Sequence, residues 1–277
     1  VYAMKNSQIF IFTDLDGSLL NHNNFGFKEI KNFILDCIKS GIKIIPNTSK
    51  TNSEIQVFLN QLGQNLPFIV ENGAAINNLD LVHPKIKVKN NSLVFSRSLP
   101  EILKLFEKNI PIDFQKRCFF LKDMSSIEQM KILGLNKKYL PFALNRDYSI
   151  PLVFEGSKEI VNEFTGLLKK IGMKLHEGGR IYNICDDCSK GKAMTTLIEK
   201  LKNELNFRIY TIVIGDSPND ISMLNVSDQP CIIPLPNKKN LYHLKDQKII
   251  RATQSAPQGW EEVVRASLKK INFELEG

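Results

Sequence analysis

Ile9-Phe10-Ile11-Phe12-Thr13-Asp14-Leu15-Asp16-Gly17-Ser18 opens with four apolar residues that read as a buried strand. Two carboxylates, Asp14 and Asp16, follow one residue apart. Strand side chains alternate sides, but where a strand runs out into a loop both groups can turn toward one point. Gly17 permits the sharp turn by which the backbone leaves. Carboxylates at the end of a buried strand are unfavourable unless a cation or a proton shares their charge. Taken alone, Asp-x-Asp-Gly is equally an ordinary polar turn, and the rest of the chain must choose between turn and site.

The 277 residues suffice for one large or two ordinary domains. An apolar fraction of 43% and a charged fraction of 24% belong to a soluble globular protein. No apolar run reaches the length of a membrane span, and Val1–Gln8 lacks the core of a secretory signal. Five scattered cysteines fit a reducing compartment, so a cytoplasmic location is expected. The net charge of +8 raises a nucleic-acid-binding module as a rival function. The lysines are dispersed, however, and the same field would attract a small anionic substrate.

Outward from the first strand, Phe27, Ile30, Phe33, Ile34, Cys37 and Ile38 recur at helical spacing, and Gly41 marks a stop. Ile42–Pro46 is a second apolar strand, ending in the polar run Asn47-Thr48-Ser49-Lys50. Thr51-Asn52-Ser53-Glu54 matches a capping box for a helix closed by Gly63, and Pro67–Val70 is a third strand leading into Glu71-Asn72-Gly73-Ala74. This alternation predicts a parallel, doubly wound sheet. From about Leu81 the pattern changes to paired strands with helices: Ile86–Val88 with Leu93–Phe95, then strands at Pro151–Phe154, Met173–His176 and Arg180–Cys185. It reads as a separate α+β insert. The first pattern then returns with an amphipathic helix at Lys190–Leu205 and the apolar strand Ile209–Ile214. Gly215-Asp216-Ser217-Pro218-Asn219-Asp220 ends that strand, and short strands at 231–233 and 248–250 precede a last helix, Trp260–Ile271.

Asp14/Asp16, Thr48 and Asp216/Asp220 thus share one address, the carboxyl end of a core strand, with Lys190 at a helix start nearby. In open parallel sheets ligands bind at that edge. Three carboxylates gathered there call for a hard, oxygen-seeking cation, and Mg²⁺ suits a site with few protein ligands.

Asp14-Leu15-Asp16-Gly17-Ser18, Thr48, Lys190 and Gly215-Asp216-x-x-Asn219-Asp220 resemble, in order and spacing, the motifs of the haloacid-dehalogenase-like phosphatases. The resemblance implies a Rossmann-like core at 1–81 and 188–277 with an inserted α/β cap at 82–187. It implies that Asp14 attacks phosphorus and forms an aspartyl-phosphate, while Asp16 acts as acid and then base. Thr48 and Lys190 would bind phosphoryl oxygens; Lys190 fits better than Lys192 because it directly precedes Gly191. Asp14, Asp16, Asp216 and Asp220 would form the Mg²⁺ site, with Asp16 contributing its carbonyl and Asp220, beside Asn219, mainly supporting Lys190.

Further runs resemble one subgroup, the mannosyl-3-phosphoglycerate phosphatases and their glucosyl-acting relatives. These are Thr48-Ser49-Lys50-Thr51, Glu71-Asn72-Gly73-Ala74, Arg146-x-x-Ser149-x-Pro151, Gly178-Gly179-Arg180, Ser189-Lys190-Gly191-Lys192-Ala193 and Gly259-Trp260. Asp147 and Ile150 depart from the Glu of that subgroup. A glycosylated phosphoglycerate carries a phosphate, a carboxylate and hydroxyls. Lys50, Arg146 and Arg180 are the candidates for the anions, and Asn72, Ser149 and Asn219 for hydrogen bonds. Another sugar phosphate, such as a sucrose or hexose phosphate, is the alternative substrate. Cys185-x-x-Cys188 has no second pair for zinc, and the four histidines have no metal or triad spacing.

Overall fold

The computed structural model describes residues 7–177, 181–205, 208–235 and 248–276. Strands are numbered in chain order. A parallel sheet is built from β1 (Ser7–Thr13), β2 (Lys43–Pro46), β10 (Arg208–Gly215), β11 (Gln229–Ile232) and β12 (Ile250–Arg251), in the order β12-β11-β10-β1-β2. Within it β1, between β10 and β2, alternates from one face to the other although every residue from Ile9 to Thr13 is buried. Ile9 and Ile11 pack with Phe33, Ile34, Phe58, Leu59 and Trp260 on one face. Phe10 and Phe12 pack with Met194, Leu197, Leu201 and Met223 on the other. Helices therefore cover both faces, as the unbroken apolar run of β1 requires. The α/β doubly wound architecture expected from the sequence is the one observed.

Register places the site. Thr13 lies level with Ile214 of β10 and Pro46 of β2. The residues that follow these strands, Asp14, Asp216 and Thr48, therefore leave the sheet side by side. The chain passes from β1 to β2 on one side and returns to β10 on the other, so this edge holds the reversal of strand order where ligands bind.

Two expectations are corrected. Phe68–Val70 (β3) does not extend the parallel ladder; it pairs antiparallel with β4 (Ala75–Asn77), which pairs with β5 (Ser92–Val94). The cause is the turn Glu71-Asn72-Gly73, with φ of +46°, +60° and +94°, which folds the chain straight back on itself. A single bridge, Asn47 to Ile69, ties this small sheet to the end of β2. Ile86–Val88 is not a strand: Ile86 buries against the parallel sheet with Val82, and Leu93 pairs with Ile76 instead.

The fourth group of strands, β6 (Cys118–Phe120), β7 (Ser149–Phe154), β8 (Met173–Glu177) and β9 (Tyr182–Asp186), is an antiparallel sheet in the order β6-β7-β9-β8. One face is covered by the helices Leu99–Asn109 and Lys158–Lys170. Ile102, Phe106, Phe164 and Leu168 meet Ile150, Leu152, Phe154 and Ile184 there. By alternation Ser149, Pro151, Asn183 and Cys185 point the other way, where Cys185 packs on Ala74 of the small sheet.

Candidate active site

The turn after β1 is fixed by its backbone. Asp14 continues the ladder with an N–H to Ile214 O (2.9 Å), and Leu15 O accepts the N–H groups of Ser18, Leu19 and Leu20. Gly17 sits at φ +83°, and a Cβ there would come within 2.6 Å of Leu235 Cδ2 and 3.1 Å of Asp216 Oδ2. Glycine thus meets two needs: the left-handed turn, and the close approach of the Asp216 loop. Beneath the turn, the fully buried Trp260 donates through Nε1 to Thr13 Oγ1 (3.1 Å), whose own proton goes to Asp14 O (2.7 Å). The Gly259-Trp260 run therefore props the end of the strand.

Asp14, Asp216 and Asp220 bring one oxygen each within 4.8 Å of one another, and all three are buried. Lys190 Nζ, fully buried at the first turn of its helix, donates to Asp14 Oδ1 (2.7 Å) and Asp220 Oδ1 (2.6 Å). The other oxygen of Asp220 accepts the N–H groups of Asp216 (3.0 Å) and Ser217 (3.1 Å). Asp220 is thereby locked, and it in turn locks Lys190. Asp216 Oδ1 accepts from Ser18 Oγ (2.8 Å). Burial pushes the Asp14 carboxyl up to about 6 against the pull of Lys190. Burial, with Asp14 and Asp220 alongside, also holds Asp216 well above the usual carboxylate range. Burial opposes the Lys190 ammonium, yet its two carboxylate partners raise it above the ordinary lysine value.

Three carboxylates and one ammonium leave an excess of two negative charges when all are ionised. A divalent cation would balance that excess, and an all-oxygen donor set suits a hard ion such as Mg²⁺. The residues present fit the group.

Asp16 stands apart from this cluster. Its Oδ2 is 2.8 Å from Lys50 Nζ, while its Oδ1 is buried with no hydrogen-bond partner among the described residues. Lys50 also reaches Glu54 Oε1 (3.2 Å) and lies over the Phe25 ring. Glu54 is the capping-box residue expected from the sequence: Thr51 Oγ1 accepts its N–H (3.1 Å) and its Oε2 accepts the Thr51 N–H (2.9 Å). Burial would raise the Glu54 carboxyl, but Lys50 and Arg146 hold it below its ordinary value. Thr48 Oγ1 accepts the Lys50 N–H (3.2 Å).

The strained turn after β3 aims Glu71 at the antiparallel sheet. Its carboxylate accepts the N–H groups of Asp147 (2.9 Å) and Tyr148 (3.1 Å) and the Ser149 hydroxyl (2.6 Å). Arg146 Nη1 donates to the same hydroxyl and to Ser49 O, each at 3.1 Å. Ser149 is thus engaged between Glu71 and Arg146. Gly73 allows this junction to close, since a Cβ there would lie 2.2 Å from Ser189 O. Asn72 Oδ1 accepts from Asn219 Nδ2 (3.0 Å), linking this turn to the Asp216 loop.

A cleft of about 160 Å³ lies over these groups. Asp14, Asp16, Lys50, Asp216 and Asn219 line it from the parallel-sheet side, and Arg146 from the junction. Asn72, Thr48 and Ser149 are buried just behind it. Arg180 lies outside the described residues. Four residues at the site were not singled out from the sequence: Glu54, Glu71, His22 and Asn183. The capping box could have flagged Glu54. Glu71 stands in the quoted Glu71-Asn72-Gly73-Ala74 run, but nothing local shows its role, or marks His22 and Asn183, because these roles arise between elements distant in the chain. Among the described residues, no helix is long and apolar enough to cross a membrane.

Comparison with known proteins agrees with this geometry. The family of haloacid dehalogenase-like hydrolases matches residues 11–233. A Persephonella marina protein named glucosyl-3-phosphoglycerate/mannosyl-3-phosphoglycerate phosphatase is 32% identical, the match covering 94% of this chain and 97% of that one. A protein of the same name from Methanococcoides burtonii is 29% identical over 95% and 98% of the two chains. The Synechocystis sucrose-phosphatase, solved with sucrose and phosphate, shares the fold: TM-score 0.61, 16% identity, covering 96% of this chain and 99% of that one. With the family matched across both halves of the parallel sheet, and relatives named as phosphatases aligned nearly end to end, this chain belongs to the haloacid dehalogenase-like hydrolases as an enzyme of the phosphoric-monoester-hydrolase kind.

Proposed function

We propose that this enzyme is a Mg²⁺-dependent phosphatase that hydrolyses a mannosyl- or glucosyl-3-phosphoglycerate to the glycosylglycerate and phosphate. The observation that carries the chemistry is the buried set Asp14–Lys190–Asp220–Asp216, with Asp16 and its unpartnered oxygen beside it. The names of the two relatives support the substrate, as do the cationic Lys50 and Arg146 at the cleft, which suit the glycerate carboxylate.

In this reading an Asp14 carboxylate oxygen bonds to phosphorus as the bond to the glycerate oxygen breaks. Asp16 gives that oxygen its proton. Because Oδ2 of Asp16 is engaged by Lys50, the buried Oδ1 is the atom that carries the proton. Water then attacks the aspartyl-phosphate, Asp16 takes its proton, and phosphate leaves as Asp14 is restored. Lys190, held by Asp220, stabilises the charge of the transferring group, and Thr48 contributes a hydrogen bond. Asp14, Asp216 and Asp220, with the Asp16 carbonyl, would hold Mg²⁺, which when bound neutralises phosphoryl charge. The antiparallel sheet with its helices acts as the cap that completes the site over the substrate.

A phosphate-release screen over mannosyl- and glucosyl-3-phosphoglycerate, sucrose 6-phosphate, trehalose 6-phosphate and hexose phosphates tests this. The glycosyl-phosphoglycerates should lead the panel, and EDTA should stop release until Mg²⁺ is restored. Equal rates across the panel defeat the substrate, and activity that survives EDTA defeats the metal.

A further inference from the structure

We propose that Asn183 is the residue by which the antiparallel unit reads a hydroxyl on the uncharged part of the substrate. This deepens the reading above and rests on it for the substrate class. Asn183 is 4% exposed, lines the cleft, and its Oδ1 is buried with no hydrogen-bond partner among the described residues. Its orientation is fixed by β9. The neighbours Tyr182 and Ile184 point into the apolar layer under the helices, so Asn183 must face the parallel-sheet side. In the ladder it lies between Pro151 and His176, neither of which bonds to its carboxamide.

A buried acceptor left unpaired costs about 1–3 kcal/mol, whereas an apolar side chain of the same size would fill the position without that penalty. The penalty is relieved if a ligand supplies the donor. An acceptor oxygen selects the class of group: a hydroxyl can donate to it, whereas an ionised phosphate or carboxylate cannot. The surroundings point the same way. The described residues that line the cleft from this side are Leu133, Leu135, Ala143, Ile181 and Asn183, none of them charged. The charged residues, Asp14, Asp16, Lys50, Glu54 and Asp216, lie on the opposite wall, with Arg146 at the junction. The substrate is therefore oriented with its anionic end on the parallel sheet and its neutral, hydroxylated end against Asn183.

The test compares the full-length enzyme with Asn183→Leu, which keeps size and removes the acceptor, and Asn183→Asp, which keeps an acceptor oxygen. Steady-state kinetics with Mg²⁺ are measured on mannosyl-3-phosphoglycerate and on p-nitrophenyl phosphate, which offers no ring hydroxyls. For Asn183→Leu, KM for the glycosylated ester should rise about tenfold. Its loss in kcat/KM should exceed the loss on p-nitrophenyl phosphate at least fivefold, and Asn183→Asp should recover most of the difference. Equal losses on both esters indicate a structural role and overturn the proposal, as does an unaltered KM for the glycosylated ester. If the wild type rejects glycosyl-phosphoglycerates, the substrate reading fails by itself, and the comparison uses the hexose phosphate that it hydrolyses fastest. A selective loss there still supports Asn183 as a hydroxyl reader, and an even loss, or no hydroxylated ester accepted at all, refutes it.

Discussion

Asp14→Asn should make the metal-free protein more stable at neutral pH even as it abolishes phosphate release. Asn has the shape of a protonated Asp and carries no charge. In the folded chain burial moves the Asp14 carboxyl from 3.8 to about 6, so the folded state holds its proton more tightly than the unfolded state does. The sign follows: stability from this group is full below pH 4 and is lost as pH rises through about 6. Two pK units at about 1.4 kcal/mol each give a loss of about 3 kcal/mol. The asparagine variant has nothing to lose there. About 1 kcal/mol of the wild-type loss has already occurred at pH 4.5, so the difference between variant and wild type should grow in the variant's favour by about 2 kcal/mol between pH 4.5 and 7.5. Lys190 titrates above this window in the wild type, and in the variant it keeps the Asp220 carboxylate as its partner. The assay is urea unfolding in EDTA at four pH values, followed by the same series in saturating Mg²⁺. The cation should narrow the gap, because the carboxylate charge that destabilises the empty site is the charge the ion binds. A pH-independent difference, or one that turns against the variant as pH rises, would refute the account of a charge-strained site.

Lys190→Met should remove phosphate release and lower stability by about 3–5 kcal/mol at pH 7.5 in EDTA, because Asp14 and Asp220 lose the cation between them; a chevron or urea curve reads the second effect. Glu71→Gln should cost about 1.5–3 kcal/mol by weakening a charged acceptor of three donors, with hydrogen exchange at 147–149 rising first. Gly73→Ala should destabilise by more than about 2 kcal/mol, since it combines φ +94° with a Cβ placed 2.2 Å from Ser189 O; a wild-type urea midpoint would contradict the close approach.

The Glu71 junction also explains why Ser149, a hydrogen-bonding candidate in the sequence, sits where it does. Its hydroxyl is shared between Glu71 and Arg146, so its first effect is to place Arg146 at the mouth of the cleft. A second tie couples the two crossings between the sheets. Arg97, on the way out, pairs with Asp186, on the way back, through Nε–Oδ1 at 2.8 Å and a backbone N–H to Oδ2. The position of the antiparallel unit over the carboxylates is therefore held at its two connections and at the start of β7.

Local chemistry alone determined much of this molecule. An apolar run with period-two packing makes β1, and a Thr51–Glu54 capping box with Gly63 in the left-handed region bounds the second helix. Carboxylates after β1 and β10 share one edge once the strands are parallel. Each of these signals spans a few neighbouring residues, where backbone sterics and side-chain reach act directly. The tertiary structure alone decided the pairings. Lys190 meets Asp14 across 176 positions, and Ser149 meets Glu71 across 78. Lys50 is held by Asp16 as well as by the Glu54 of its own turn. Phe68–Val70 was legible as a strand, but its antiparallel partner depended on three consecutive left-handed residues, which raises the backbone energy unless the surrounding contacts hold it. Asn183 shows the same division: alternation along β9 sets which way it points, while only the docking of two sheets turns that direction into the wall of a site.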